Sequence, residues 1–223
     1  MKCQHCLVEV NPSFNEIYLG NDSSDYWSVY EMNCPNTNCG KKIVELAMGD
    51  PNRNQYGHIT QGLVNNRWRQ TVRPFSSGRP PAPPDVGTEF AQDYSEACLI
   101  YKLSPKASAA LSRRCLQNIL REKAGIKHGN LVSEIQQVID SKSLPAHLAE
   151  SIDAIRHIGN FAAHPLKSTS SGEIIDVEVG EAEWSLDVLE ALFDFYFVQP
   201  AILKAKRSAL DVKLKDANKP LMK

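Results

Sequence analysis

The sequence lacks a long hydrophobic run, a surplus of charge of either sign, and a glycine-rich phosphate loop. Each absence removes a class of function. The most apolar stretch, Leu186 to Leu203, is broken by Asp187, Glu190, Asp194 and Pro200, so it reads as a core helix and not as a membrane span. The N-terminus carries no basic segment followed by an apolar run, so no signal peptide is read, and the expected location is cytoplasmic with no membrane partner. Lys and Arg number 25 against 26 Asp and Glu, which excludes a global attraction for nucleic acid and leaves only a local basic patch to provide one. Without a phosphate loop or paired metal-binding carboxylates at convincing spacing, nucleotide transfer has little support. No internal repeat is present. What remains is ordinary for globular proteins: 42% apolar and 23% charged residues in a chain of 223, enough for one or two domains with a real core.

Against that plain background the cysteines stand out. Cys3-Gln4-His5-Cys6 is a CxxC, and Cys34-Pro35-Asn36-Thr37-Asn38-Cys39-Gly40 is a CxxxxC followed by glycine. Two such knuckles present four thiolates, the donor set of a closed, tetrahedral structural zinc site. Cys3, Cys6, Cys34 and Cys39 are the expected metal ligands and zinc the expected cofactor. His5 is then a bystander, because four sulfurs complete the shell. The alternatives are a disulfide pair or a redox CxxC. The reducing cytosol disfavours the first, and the lack of a βαβ pattern disfavours the second. Leu7–Val10, Tyr26–Met32 and Lys42–Leu46 read as short strands around the knuckles. Residues 1–50 are therefore expected as a zinc ribbon whose core is too thin to stand without metal.

Residues 51–87 read as a polar segment and a proline-rich linker. Arg67-Trp68-Arg69 offers either a stacking contact for a base or a buried Trp68 between solvated arginines. Arg79-Pro80-Pro81-Ala82-Pro83-Pro84 is a stiff spacer that marks the domain boundary. Beyond it the period turns helical. Phe90, Tyr94, Ala97, Cys98 and Tyr101 share one face. Ser104-Pro105 starts a second helix carrying Leu111, Cys115 and Ile119, and Asn130 caps a third with Leu131, Ile135 and Val138. Leu144-Pro145 opens a fourth with Leu148, Ile152 and Ile155 inward, and a final helix runs from about Glu181 through Phe197 until Pro200 bends or interrupts it. Glu173–Val179 reads as a short extended excursion. The expected architecture for 88–203 is an antiparallel helical bundle, followed by a basic tail at 204–223. Cys98 and Cys115, on apolar faces, are core residues and not ligands.

The fourth helix ends in Ile155-Arg156-His157-Ile158-Gly159-Asn160-Phe161-Ala162-Ala163-His164-Pro165. Arg156, Asn160 and His164 recur at helical spacing and form a polar stripe. Gly159 and the alanines allow another helix to approach closely. An imidazole can move a proton near neutral pH, a guanidinium can fork onto a phosphate, and a carboxamide can orient either. RNA brings its own 2′-hydroxyl nucleophile, so such a site needs no metal. The competing reading is structural: the stripe bonds to a neighbouring helix, with Arg113 or Glu122 as partners, and fixes packing.

Asp93-Tyr94-Ser95-Glu96-Ala97, Ser104-Pro105-Lys106-Ala107, Arg113-Arg114 and the IRxxGNxxAH stretch Ile155–His164 resemble the bacterial domain of unknown function 4145, over about Pro83 to Val198. That family is regarded as a branch of the HEPN superfamily of helical bundles, and the upstream ribbon resembles a common companion of it. The resemblance implies an α+β chain, a four-cysteine zinc ribbon followed by a mainly α-helical HEPN-like bundle. It also implies a metal-independent endoribonuclease of bacterial defence, including phage defence, or stress. Arg156, Asn160 and His164 would be the catalytic residues, with Arg113 and Arg114 as added phosphate contacts or as surface partners of Glu122 or Glu150. The expected partners are RNA and a second copy of the chain, since HEPN-like sites form where two motifs face each other. Asn160 and His164 match the motif's polar residue and histidine. The motif's arginine, immediately before Asn160, is Gly159 here. The alternative is a non-catalytic adaptor in which the ribbon binds nucleic acid or protein and the bundle dimerises or docks a partner.

Overall fold

Aromatic and β-branched runs at Tyr26–Met32 and Lys42–Leu46 seed a sheet, and proline and glycine punctuation ends it before the helical periods begin. The fold is given by a computed structural model, which describes residues 1–23, 25–163, 166–170 and 172–222. Two compact units result, Met1–Pro80 and Pro81–Lys223, and the division falls inside the Arg79–Pro84 run.

The first unit is an antiparallel meander of β1 (Asn15–Asn21), β2 (Tyr26–Asn33), β3 (Lys42–Arg53) and β4 (Ile59–Arg73), in that spatial order. Its small core is Cys3, Met32, Cys34 and Ile43, with Cys6, Val10, Phe14 and Cys39 packed against it. Two expectations change. Leu7–Val10 supplies only an isolated bridge, Lys2 with Glu9, in place of a strand. Residues 51–73, expected as a polar segment, form the end of β3 and all of β4. Gly49-Asp50-Pro51 looks like a break in sequence. The ladder absorbs it through register shifts at Met48/Gly49 and Asp50/Pro51, where a bulge tolerates a proline.

In the Arg67–Arg69 triplet both arginines are exposed, as the buried-tryptophan reading had them, but Trp68 is not buried. Trp68 is 39% exposed and meets Trp27 edge to face, with 6.1 Å between ring centres. Arg69, itself exposed, lies over the aromatic rings of the sheet. Its guanidinium lies 4.0 Å from the Tyr30 ring centre and 4.8 Å from that of Phe14, and its Nε donates to the buried Glu45 carboxylate at 2.5 Å. Arg67 pairs with Asp25 and Asp50. The alternation of a paired strand sends Trp68 to one face and its flanking arginines to the other.

The second unit contains α1 (Thr88–Ile100), α2 (Pro105–Lys123), α3 (Leu131–Ser141), α4 (Ala146–Ala163), α5 (Val179–Phe193) and α6 (Gln199–Asp216). The Ser104 hydroxyl accepts from the Ala107 amide at 3.3 Å, and the Asn130 carboxamide oxygen from the Ser133 amide at 2.9 Å, so both sequence-read caps form. The core draws on every apolar face expected: Phe90, Tyr94, Ile119, Ile135, Ile152, Ile155 and Phe193 are among its fully buried side chains. Cys98 and Cys115 lie within it.

Between α5 and α6 runs a π-helical turn, Asp194–Val198, closed by the Gln199 amide donating to the Asp194 carbonyl. Pro200 has no N–H to give the preceding turn. The wider turn shifts the hydrogen-bond register there, so the helix continues where an interruption or bend was expected. Residues 204–223 are accordingly helical through Asp216, although α6 buries none of its residues. Of the excursion expected at Glu173–Val179, Ile174 forms an isolated antiparallel bridge with Lys167, and Val179 already begins α5. Among the described residues no helix is long and apolar enough to cross a membrane.

Candidate metal centre and the polar face of α4

The two cysteine knuckles are built alike. Residues 3–6 turn back through the Leu7 amide bonding to the Cys3 carbonyl at 2.8 Å, and residues 36–40 through the Cys39 and Gly40 amides bonding to the Asn36 carbonyl at 2.8 and 3.0 Å. The residue after each second cysteine is left-handed, Leu7 at φ 59° and Gly40 at φ 57°. Glycine takes that conformation freely; leucine does so at some cost. The turns bring the Sγ atoms of Cys3, Cys6, Cys34 and Cys39 within 4.8 Å of one another.

The Cys6 and Cys34 sulfurs are 3.9 Å apart. A zinc tetrahedron with Zn–S bonds of about 2.3 Å has edges of about 3.8 Å, so the spacing fits one ion. The His5 amide points to the Cys3 sulfur at 3.4 Å and the Asn36 carboxamide to that of Cys6 at 3.6 Å, as donors to thiolates do. The Val8 amide brings the Cys6 thiol down to about 7, whereas burial pushes Cys34 up to about 12. Four thiols this close cannot all ionise without a cation among them, and a divalent ion removes that conflict. The His5 ring is not part of the cluster. Its Nε2 donates to the Lys42 carbonyl at 2.9 Å.

On α4, Arg156 and Asn160 are half-buried. His164 and Pro165, with the third expected site residue among them, lie outside the described residues. Arg156 turns toward the helix N-terminus, the direction in which helical side chains lean. Its Nε donates to Asp153 Oδ1 at 2.6 Å and a terminal nitrogen donates to His157 Nε2 at 2.6 Å. A guanidinium only donates, so this His157 nitrogen is the acceptor in that contact. The 3.5 Å approach of the same nitrogen to Asp153 is then a contact and not a hydrogen bond. The Arg156 hydrogen bond holds the Asp153 carboxyl below its usual range, against the effect of burial.

Gly159 is buried under α2, as its small size suggested. A Cβ built there would lie 2.8 Å from Cδ and 2.9 Å from Cβ of Arg113. The stem of Arg113 thus rests on Gly159, and its Nη1 donates to the Arg156 carbonyl at 3.2 Å. Burial, and then the neighbouring Arg156 charge, lower the Arg113 pKa. Arg114 has a different fate. It forks onto Asp93 through two nitrogens, not onto Glu122 or Glu150.

Asp153 and His157 were missed by the sequence reading, which followed the stripe forward from Arg156. Their own four-residue spacing was the available signal. No curated protein and no solved structure matches this chain. The family model described as Domain of unknown function (DUF4145) matches residues 95–215, more than half of the chain, and runs past the expected end at Val198 through most of α6. By that match the chain belongs to the DUF4145 family.

Proposed function

We propose that this protein is a nucleic-acid-associated, HEPN-like member of its family. In this reading the four cysteines hold a structural zinc ion in an N-terminal ribbon, and the helical unit is a metal-independent endoribonuclease of bacterial defence or stress. Zinc would stabilise the ribbon. Four thiolates leave it no open position for a substrate.

The observation that carries the ribonuclease reading is the placing of half-buried Arg113 against α4, one turn from Asn160, with its Nη1 on the Arg156 carbonyl at 3.2 Å and its pKa lowered by burial and by the Arg156 charge. Like charges brought together away from water suit an anion, and a phosphodiester is one. Cleavage would proceed by attack of the RNA 2′-oxygen on phosphorus as its proton passes to an imidazole. The 5′-oxygen then leaves with a proton, giving a 2′,3′-cyclic phosphate and a 5′-hydroxyl. His164 is the proton carrier in this scheme, Asn160 the orienting amide, and Arg156 part of the cationic face. A homodimer would bring two motifs together and supply the second imidazole.

A non-catalytic adaptor is the second reading. It is favoured by the engagement of Arg156 with Asp153 and by the glycine at 159. The deciding experiment is an RNA-cleavage assay of purified full-length protein and His164→Ala, with and without chelator, folding being checked by circular dichroism. Cleavage that persists in chelator and disappears in the folded variant supports the ribonuclease. Absence of cleavage across a broad RNA panel gives the adaptor precedence.

A further inference from the structure

The arginines around α4 are not equivalent. Arg114 is held by Asp93, Arg121 by Glu134 and Arg156 by Asp153. Among the described residues no carboxylate pairs with Arg113, whose hydrogen bond goes to a neutral carbonyl. A guanidinium carries five N–H groups, so most of its donors remain uncommitted. It is half-buried, partly stripped of water and next to a like charge, an expensive arrangement for folding alone.

Its position matters as much as its freedom. The stem occupies the space a side chain at 159 would fill, one residue from Asn160. Glycine at 159 is what admits it, and the guanidinium then reaches the Arg156 carbonyl on α4. We propose that Arg113, delivered from α2 across Gly159, is the phosphate-binding residue of the α4 face and takes a phosphodiester of single-stranded RNA. Arg156 acts as a positioning residue, through its carbonyl on Arg113 and its ion pair with Asp153. This inference rests on the RNA reading above, and it gives the glycine at 159 a purpose: it makes room for an arginine from a neighbouring helix.

The test uses the full chain, a short fluorescein-labelled single-stranded RNA, anisotropy across a salt series, and cleavage of the same RNA. Arg113→Ala is expected to weaken binding about tenfold or more and to reduce the slope of log affinity against log salt by roughly 0.7, the change for one phosphate no longer neutralised. Arg113→Lys should restore the slope but only part of the affinity, because the planar fork is gone. Gly159→Ala should shift binding in the same direction as Arg113→Ala, since the methyl displaces the arginine stem. Arg114→Ala should leave the slope unchanged. A wild-type slope and affinity in Arg113→Ala, beside a reduced slope in Arg156→Ala, overturns the inference while the RNA reading stands. Wild-type protein that neither binds nor cuts RNA overturns both. If Arg113→Ala does not fold, the lysine and Gly159→Ala variants decide the matter in its place.

Discussion

Glu134 is completely buried, yet it carries charge safely. It accepts from the Gly129 amide at 2.8 Å, from Gln117 at 2.8 Å and from Arg121 at 2.7 Å. Burial raises its pKa, but these three donors together bring it below its ordinary value of 4.5. A depressed carboxylate stabilises the fold fully above its unfolded pKa and loses that contribution as pH falls through the folded one. The helical unit should therefore weaken as pH drops below about 4.5, read by thermal melts over an acid series. Glu134→Ala strands Arg121 and the Gly129 amide and should cost about 3 kcal/mol in chemical unfolding. In the sheet unit, Cys34→Ser removes one of the four clustered thiols, and on the proposed zinc reading the purified variant should hold much less than one zinc per chain by elemental analysis. The clustering of the four cysteines was legible because its signal is local. Arg113 meeting Gly159 was legible only in part: the glycine announced a close approach, but not which side chain would make it.

Elements show where local rules were sufficient and where they were overruled. The Ser104 cap follows from its place before Pro105, and Ser104→Ala should destabilise the helical unit by about 1 kcal/mol in urea unfolding. β4 is different. Its polar sequence has little periodic signal, and it becomes a strand because β3 offers a ladder for its backbone groups. Arg69 holds that pairing through Glu45 and the rings of Phe14 and Tyr30. Arg69→Ala leaves Glu45 with the Thr71 hydroxyl at 3.3 Å and removes the cation over Tyr30, and should lower the stability of the sheet unit by about 1 kcal/mol, with zinc saturating. At Pro200 the sequence permitted either a stop or a bend. The π-helical turn is a third outcome, available because one extra residue per turn removes the need for the missing amide.

At the scale of the whole molecule the two units have separate cores, one of cysteines, Met32 and Ile43, the other of stacked helices. The sheet unit has few buried apolar side chains, so metal should carry much of its stability. Calorimetry in the presence of a strong chelator should show the sheet transition lowered or lost while the helical transition stays in place. A loss of both together would show that the helical unit also depends on the metal.

The sequence by itself determined the features whose information is short-range: cysteine spacing, helix caps, and apolar periods of the bundle. These depend on residues within a turn or two of one another, and side-chain chemistry decides them before any tertiary contact forms. The tertiary structure decided the rest. It made strands within residues 51–73, laid Arg69 over Tyr30 and Glu45 and left Trp68 half-out, kept the chain helical past Pro200, and set Arg113 over Gly159. Each of those outcomes depends on a partner beyond the local sequence, a β ladder, a buried carboxylate, a widened turn or a crossing helix. A charge or a strand edge takes its final place according to what neutralises or pairs it.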